Sequence, residues 1–141
     1  MTPRKQKDLI VEIRFTARAE YLKMMRCVVR EAAVLCGSTS DMAEKIVIAV
    51  NEACMNIIQH AYNNDSTGEI ILEIINNHPY LVFRLTDFAE TIDVSQVQPR
   101  ALDEIRPGGL GTHFIKELMD DVTYSVPESG KGNLLQMRIK L

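Results

Sequence analysis

The chain has 141 residues, which suits one domain with a properly buried core. Lys and Arg number 16 against 19 Asp and Glu, so the formal charge is −3 with both signs mixed, and no basic stripe is available to follow a nucleic-acid backbone. No apolar run approaches the roughly 18 residues that span a bilayer, so neither nucleic acid nor membrane is an expected partner. Met1–Lys7 is polar and basic but leads into no apolar stretch, unlike a signal peptide. Cys27, Cys36 and Cys54 are odd in number and lack C-x-x-C spacing, which speaks against a disulfide framework and a zinc site. Each falls in or at the end of an apolar helical pattern, where free Cys acts as a small hydrophobe. The expectation is a reduced, cytoplasmic, globular protein.

In chain order, Leu9, Val11, Ile13 and Phe15 alternate with Asp8, Glu12 and Arg14, with Ile10 out of step, and predict a strand with one buried face. Thr16 is the expected N-cap of a helix reaching Cys36. Its apolar positions are Leu22, Met25, Val28, Val29, Ala32 and Leu35, and Gly37 is its stop. Ser38-Thr39-Ser40-Asp41 supplies caps for a second helix from about Asp41 to Tyr62. The turn-rich Asn63–Gly68 follows, then Glu69–Ile75 and Tyr80–Asp87 as a hairpin pair around Asn76-Asn77-His78-Pro79. Phe88–Pro107 lacks periodicity, and loops of that length are usually functional lids or disordered segments. After Gly111 a short amphipathic helix, with Leu110, Phe114, Ile115, Leu118 and Met119 on one side, leads to closing strands at Val122–Val126 and Leu134–Leu141. This order departs from strict βαβα alternation. It predicts one domain over residues 1–141, an α+β sandwich whose largely antiparallel sheet carries helices on one face.

Glu52 and Asn56 are four residues apart and therefore stack on one helical face, and His60 extends the row by four more. Ile46, Val47, Val50, Ile57 and Ile58 hold that helix to a core. A buried polar group without a partner costs about 1–3 kcal/mol. A Mg²⁺ ion would partner such a pair, since it takes oxygen ligands and keeps waters and substrate phosphates. An ordinary amphipathic helix with its polar stripe in water is the other reading. Asp87 continues the buried parity of Leu81, Phe83 and Leu85, where a carboxylate needs a donor such as the exocyclic amine of a purine. The alternative is that the strand ends at Thr86 and Asp87 caps the loop. In Pro107-Gly108-Gly109-Leu110-Gly111-Thr112, glycines let backbone N–H groups approach a ligand, and the helix start that follows suits an anion. The segment is neither a Walker loop nor a dinucleotide fingerprint, and such a loop alone is more often just a turn. Lys131, between Gly130 and Gly132, reads as a phosphate-reaching cation or as part of a surface hairpin.

Taken together and in this order, these features resemble the GHKL ATPase superfamily with its Bergerat nucleotide fold. Glu52-x-x-x-Asn56 with His60-Ala61-Tyr62 looks like its N box, Asp87-Phe88-Ala89 like its first glycine box, and Arg106-Pro107-Gly108-Gly109-Leu110-Gly111 like its second. Within the superfamily the chain is most similar to the RsbW-like anti-sigma factor serine kinases. That likeness rests on Asn51–Tyr62, the Arg-Pro-Gly-Gly-Leu-Gly loop and Leu118-Met119-Asp120-Asp121.

The resemblance implies ATP with Mg²⁺: Asn56 as metal ligand, Glu52 as general base toward the attacking hydroxyl, and Asp87 on the adenine amine. It also puts His60, Ala89, Arg106, Gly108, Gly109, Leu110, Gly111 and Thr112 at the nucleotide. Arg100 and Arg106 are the cations best placed to reach phosphate. The implied protein substrate is a serine on a STAS-domain anti-sigma factor antagonist, with a sigma factor and a second copy of the chain as further partners. Ala89 departs from the family pattern, which has glycine there, and an added methyl disfavours positive φ. Ile92 stands where many relatives have Phe, although Asp93 after it matches. Two expectations follow. Glu52, Asn56 and the glycines favour a kinase, whereas Ala89 favours a module that holds its partner without phosphotransfer.

Overall fold

Strict alternation of apolar residues decides the sheet. The computed structural model describes residues 8–90 and 109–141. In it, β1 (Leu9–Thr16), β2 (Glu69–Asn77), β3 (Tyr80–Asp87), β4 (Asp121–Ser125) and β5 (Asn133–Lys140) pair antiparallel in the order β1-β2-β3-β5-β4. Ile70, Leu72 and Ile74 of β2, Leu81, Phe83 and Leu85 of β3, and Leu135, Met137 and Ile139 of β5 share one parity and are buried. β1 lies at the edge, so its inward residues Val11, Ile13 and Phe15 are only half-buried. The out-of-step Ile10 is absorbed by a shift in register between Leu9 and Val11, a bulge that preserves the facing of the rest of the strand.

Three helices cover that face among the described residues: α1 (Leu22–Leu35), α2 (Ser40–Asn56) and α3 (Gly109–Leu118). α2 is the central one, packing against α1 on one side and α3 on the other. Ala43, Ala49 and Ala53 together with Ile46, Val47 and Val50 give it a wide buried face that lets neighbouring helices approach closely. Each large apolar side chain buried here stabilises by about 1.5–3 kcal/mol before entropy is counted. The result is the expected α+β layer pair. No helix among the described residues is long and apolar enough to cross a membrane.

Several boundaries differ from expectation, each for a local reason. Thr16 does not cap a helix; it ends β1, paired with Glu69. A 3-10 turn at Ala19–Tyr21 then precedes α1. α1 closes in a Schellman motif, with Ser38 N donating to the Ala33 carbonyl and Gly37 N to that of Val34, both at 3.0 Å. Its end leaves Leu35 exposed, while Ala33 joins the core. Thr39 is the N-cap of α2, its hydroxyl accepting from Met42 N at 3.1 Å. The second helix does not run uniformly to Tyr62: it widens into a π turn at Ile57–Ala61, closed by Tyr62 N donating to the Ile57 carbonyl at 2.9 Å. β2 runs on to Asn77, and the hairpin turns at His78-Pro79. From residue 91 the expected lid lies outside the described residues, as do Arg100, Arg106 and Gly108.

Candidate functional site

α2 carries two polar flanks. On one, Asn51 Oδ1 accepts from Arg26 at 3.0 Å and Glu44 pairs with Arg30 at 2.6 Å, which ties α2 to α1. On the other, Glu52 and Asn56, a carboxylate and a carboxamide, stand one turn apart and both are half-buried. Asn56 is the last residue before the π turn, a feature common at functional sites. His60, four residues further on, falls inside the π turn and is exposed. Cys54, between these groups in sequence, is fully buried. Burial pushes its thiol up to about 12, which leaves it inert as a nucleophile.

Asp87 is the last residue of β3 and follows its buried parity to the end. It is 4% exposed, the one buried charged or polar side chain among the described residues. Its Oδ1 accepts from Asn133 Nδ2 at 2.9 Å and from Ala89 N at 3.0 Å. Both of these bonds fall on the same oxygen, Oδ1. Burial holds the carboxyl above its ordinary range, against the two hydrogen bonds, which act to lower it. Ala89 adopts none of the left-handed conformations that glycine would permit: positive φ among described non-glycine residues occurs at Asp8, Asn63 and Asn64. Its N–H on Asp87 is a bond any residue but proline makes, so the missing glycine leaves this turn intact.

Two residues of this cluster carry no signal in the sequence. Asn133 faces Asp87 across the β3–β5 ladder, and its amide also donates to the Glu90 carbonyl at 3.2 Å. Gly132, buried with φ 86°, packs so closely that a Cβ there would collide with the Asp87 carbonyl oxygen. Only strand register brings these residues to Asp87, and register cannot be read from a single strand. The Lys131 between the two glycines is exposed.

Gly109, Leu110, Gly111 and Thr112 are already helical, in the first described turn of α3 rather than in a preceding loop. The first turn of a helix leaves N–H groups unpaired within the helix, which favours an anion. A separate open depression of about 300 Å³ is lined by Arg14, Tyr62, Thr67, Gly68, Glu69 and Phe88. It belongs to the β1–β2 edge, with Arg14 paired to Glu69 at 2.9 Å, and includes none of Glu52, Asn56 or Asp87.

Residues 15–139 match the family model of the histidine kinase-like ATPase domain. The serine-protein kinase RsbW of Staphylococcus aureus is 34% identical over 128 residues, which cover 83% of this chain and 79% of that protein. RsbW of Bacillus subtilis is 32% identical over 120 residues, 79% of this chain and 75% of that protein. In structure, the chain is similar to one in the crystal structure of the SiaB–SiaC complex from Pseudomonas aeruginosa. The TM-score is 0.69 at 14% identity, over 97% of this chain and 92% of that one. The catalytic domain of histidine kinase ThkA follows at TM-score 0.52 and 10% identity, over 93% and 97%. At such identities the two structural likenesses speak to the fold, which they share.

Proposed function

This chain belongs to the histidine kinase-like ATPase domain family, and from that membership we propose that it is an ATP-dependent serine kinase and anti-sigma factor, phosphorylating a STAS-domain antagonist. The observation that carries the reading is Asp87, a buried carboxylate held above its ordinary pKa at the end of a strand, its Oδ1 accepting from Asn133 and Ala89. A fold retains such a group at a cost unless a ligand uses it. The exocyclic amine of adenine has the required chemistry. Two relatives named serine-protein kinase support the phosphotransfer half of the proposal.

In this reading the residues divide the work. Asp87 fixes the base, Asn133 orients Asp87, and the first turn of α3, from Gly109 through Thr112, offers N–H groups to the phosphates. The donors fit Mg²⁺: Asn56 and Glu52 carry side-chain oxygens one turn apart, and this ion takes one or two protein oxygens beside phosphates and waters. Asn56 would hold it, and when bound it neutralises charge on the phosphates. Glu52, one turn before Asn56, takes the proton of the attacking serine hydroxyl as its oxygen bonds to the γ-phosphorus and the bond to ADP breaks. A sigma factor and a second copy of the chain are further partners in this proposal. The sheet face opposite the described helices supports the latter with half-buried Ile71, Ile75 and Leu134. Ala89, the ground for a binding-only module, forms its turn without strain, so the kinase reading is preferred.

The test is incubation with labelled ATP, Mg²⁺ and candidate STAS proteins, with phosphoserine as the readout. Glu52→Gln should keep nucleotide binding and lose transfer by about 10²–10⁴-fold, the usual range for general-base catalysis. Nucleotide binding without label transfer to any STAS protein would return the binding-only reading, and loss of binding in Glu52→Gln would make that residue structural.

A further inference from the structure

We propose that Tyr62 is a positioning residue for adenine recognition, holding the Asp87 turn in place through the Phe88 amide; this rests on the nucleotide reading above. Tyr62 ends the helical segment that carries Glu52 and Asn56, its own N–H closing the π turn on Ile57. Its hydroxyl donates to the Glu69 carbonyl at 2.7 Å and accepts from Phe88 N at 2.7 Å. One side chain thus joins the N-box helix, the first residue of β2 and the first residue past β3.

The position of that last bond gives it consequence. The β3 ladders end at Asp87, opposite Ile70 and Asn133. Beyond them, among the described residues, Ala89 N binds Asp87 Oδ1, Phe88 N binds Tyr62, and the Glu90 carbonyl accepts from Asn133. Without the hydroxyl, the amide next to Asp87 loses this hydrogen bond, and the turn relies on Asn133 and Ala89 to aim the carboxylate. A hydrogen bond to an adenine amine requires an oxygen within about 2.7–3.2 Å and good alignment, so small shifts of this turn are felt at the base.

The ring is seated as deliberately as the hydroxyl. A Cβ at Gly68 would stand 2.5 Å from ring atoms of Tyr62, so the ring lies against bare backbone, and that backbone is fixed by Ala17 N donating to the Gly68 carbonyl at 2.8 Å. Burial raises the phenol above its ordinary pKa, which keeps the proton it needs to donate to Glu69 while accepting from Phe88.

The experiment compares ATP with purine riboside triphosphate, which lacks only the 6-amino group, on the whole chain. Tyr62→Phe keeps the ring on Gly68 and removes the hydroxyl. It should weaken ATP by about fivefold, the scale of one ordinary hydrogen bond, and leave the deamino analogue unchanged. Gly68→Ala, which keeps the hydroxyl but displaces the ring, should erode the same preference and serves if Tyr62→Phe does not fold. Equal weakening of both nucleotides would show a purely structural tyrosine and overturn the proposal, as would a variant that keeps the full preference for ATP. A wild-type chain with no preference between the two nucleotides would overturn the assignment of Asp87 to the amine, and this inference with it. That outcome is read on the unmutated protein and is therefore distinct from failure of the Tyr62 argument.

Discussion

Asp87 shows how burial of a single carboxylate can lower stability. Its folded pKa lies above the ordinary 3.8, so the folded chain binds its proton more tightly than the unfolded one. The contribution to stability is therefore greatest below that value and is lost as pH rises through the folded pKa. Asp87→Asn keeps an oxygen for both Asn133 and Ala89 but carries no charge and points an amide donor where the adenine amine would dock. Urea melts should show the variant more stable than wild type at neutral pH, with the gap shrinking as pH falls toward 3.8. The same variant should lose about 1.5–3 kcal/mol of ATP affinity, the worth of a hydrogen bond to a charged group, or roughly ten- to hundredfold. A pH-independent gap would mean that the carboxylate is not strained by burial. Undiminished ATP binding would remove Asp87 from the adenine site.

At the scale of elements, the β4–β5 hairpin is where the fold meets the candidate site, and two glycines one residue apart separate backbone strain from contact. Gly130 and Gly132 have φ of 84° and 86°, so alanine at either pays for a left-handed conformation, about 1–2 kcal/mol. A Cβ at Gly130 meets open space, whereas one at Gly132 meets the Asp87 carbonyl. Gly132→Ala should therefore cost about 1–3 kcal/mol more in thermal melts, the range for overpacking, and should alone weaken ATP. Equal costs would deny the close approach. Legibility of the chain follows the same division. Local pattern sufficed for the five strands, for the Thr39 cap and for Asp87 on the buried face, since each rests on spacing within one segment. What depends on pairing between distant segments was not legible: the extension of β1 through Thr16 opposite Glu69, the half-burial of an edge strand, and Asn133 and Gly132 against Asp87. The π turn depends on a bond from Tyr62 back to Ile57, which leaves no mark in a four-residue periodicity.

Across the whole molecule, α2 is central: among the described helices it packs on both α1 and α3, and its buried face joins the core over the sheet. A nucleotide held by Asp87 at the sheet, by Asn56 on α2 and by the start of α3 would cross-link these three elements. A ligand that binds only the folded chain stabilises it by mass action, by about 2.7 kcal/mol at a hundredfold excess over Kd. For a domain of this size that is a rise on the order of 10 °C in Tm. The rise with ATP and Mg²⁺ together should exceed that with ATP and a chelator, because the ion adds a bond to Asn56. Asn56→Ala should abolish the difference while leaving the ATP-alone shift in place, and Glu52→Gln should retain both, since a general base acts on the incoming hydroxyl rather than on the bound nucleotide. Melting curves unchanged at millimolar ATP would remove nucleotide from the account. Identical shifts for wild type and Asn56→Ala would move the metal to other oxygens while leaving the Asp87 assignment standing.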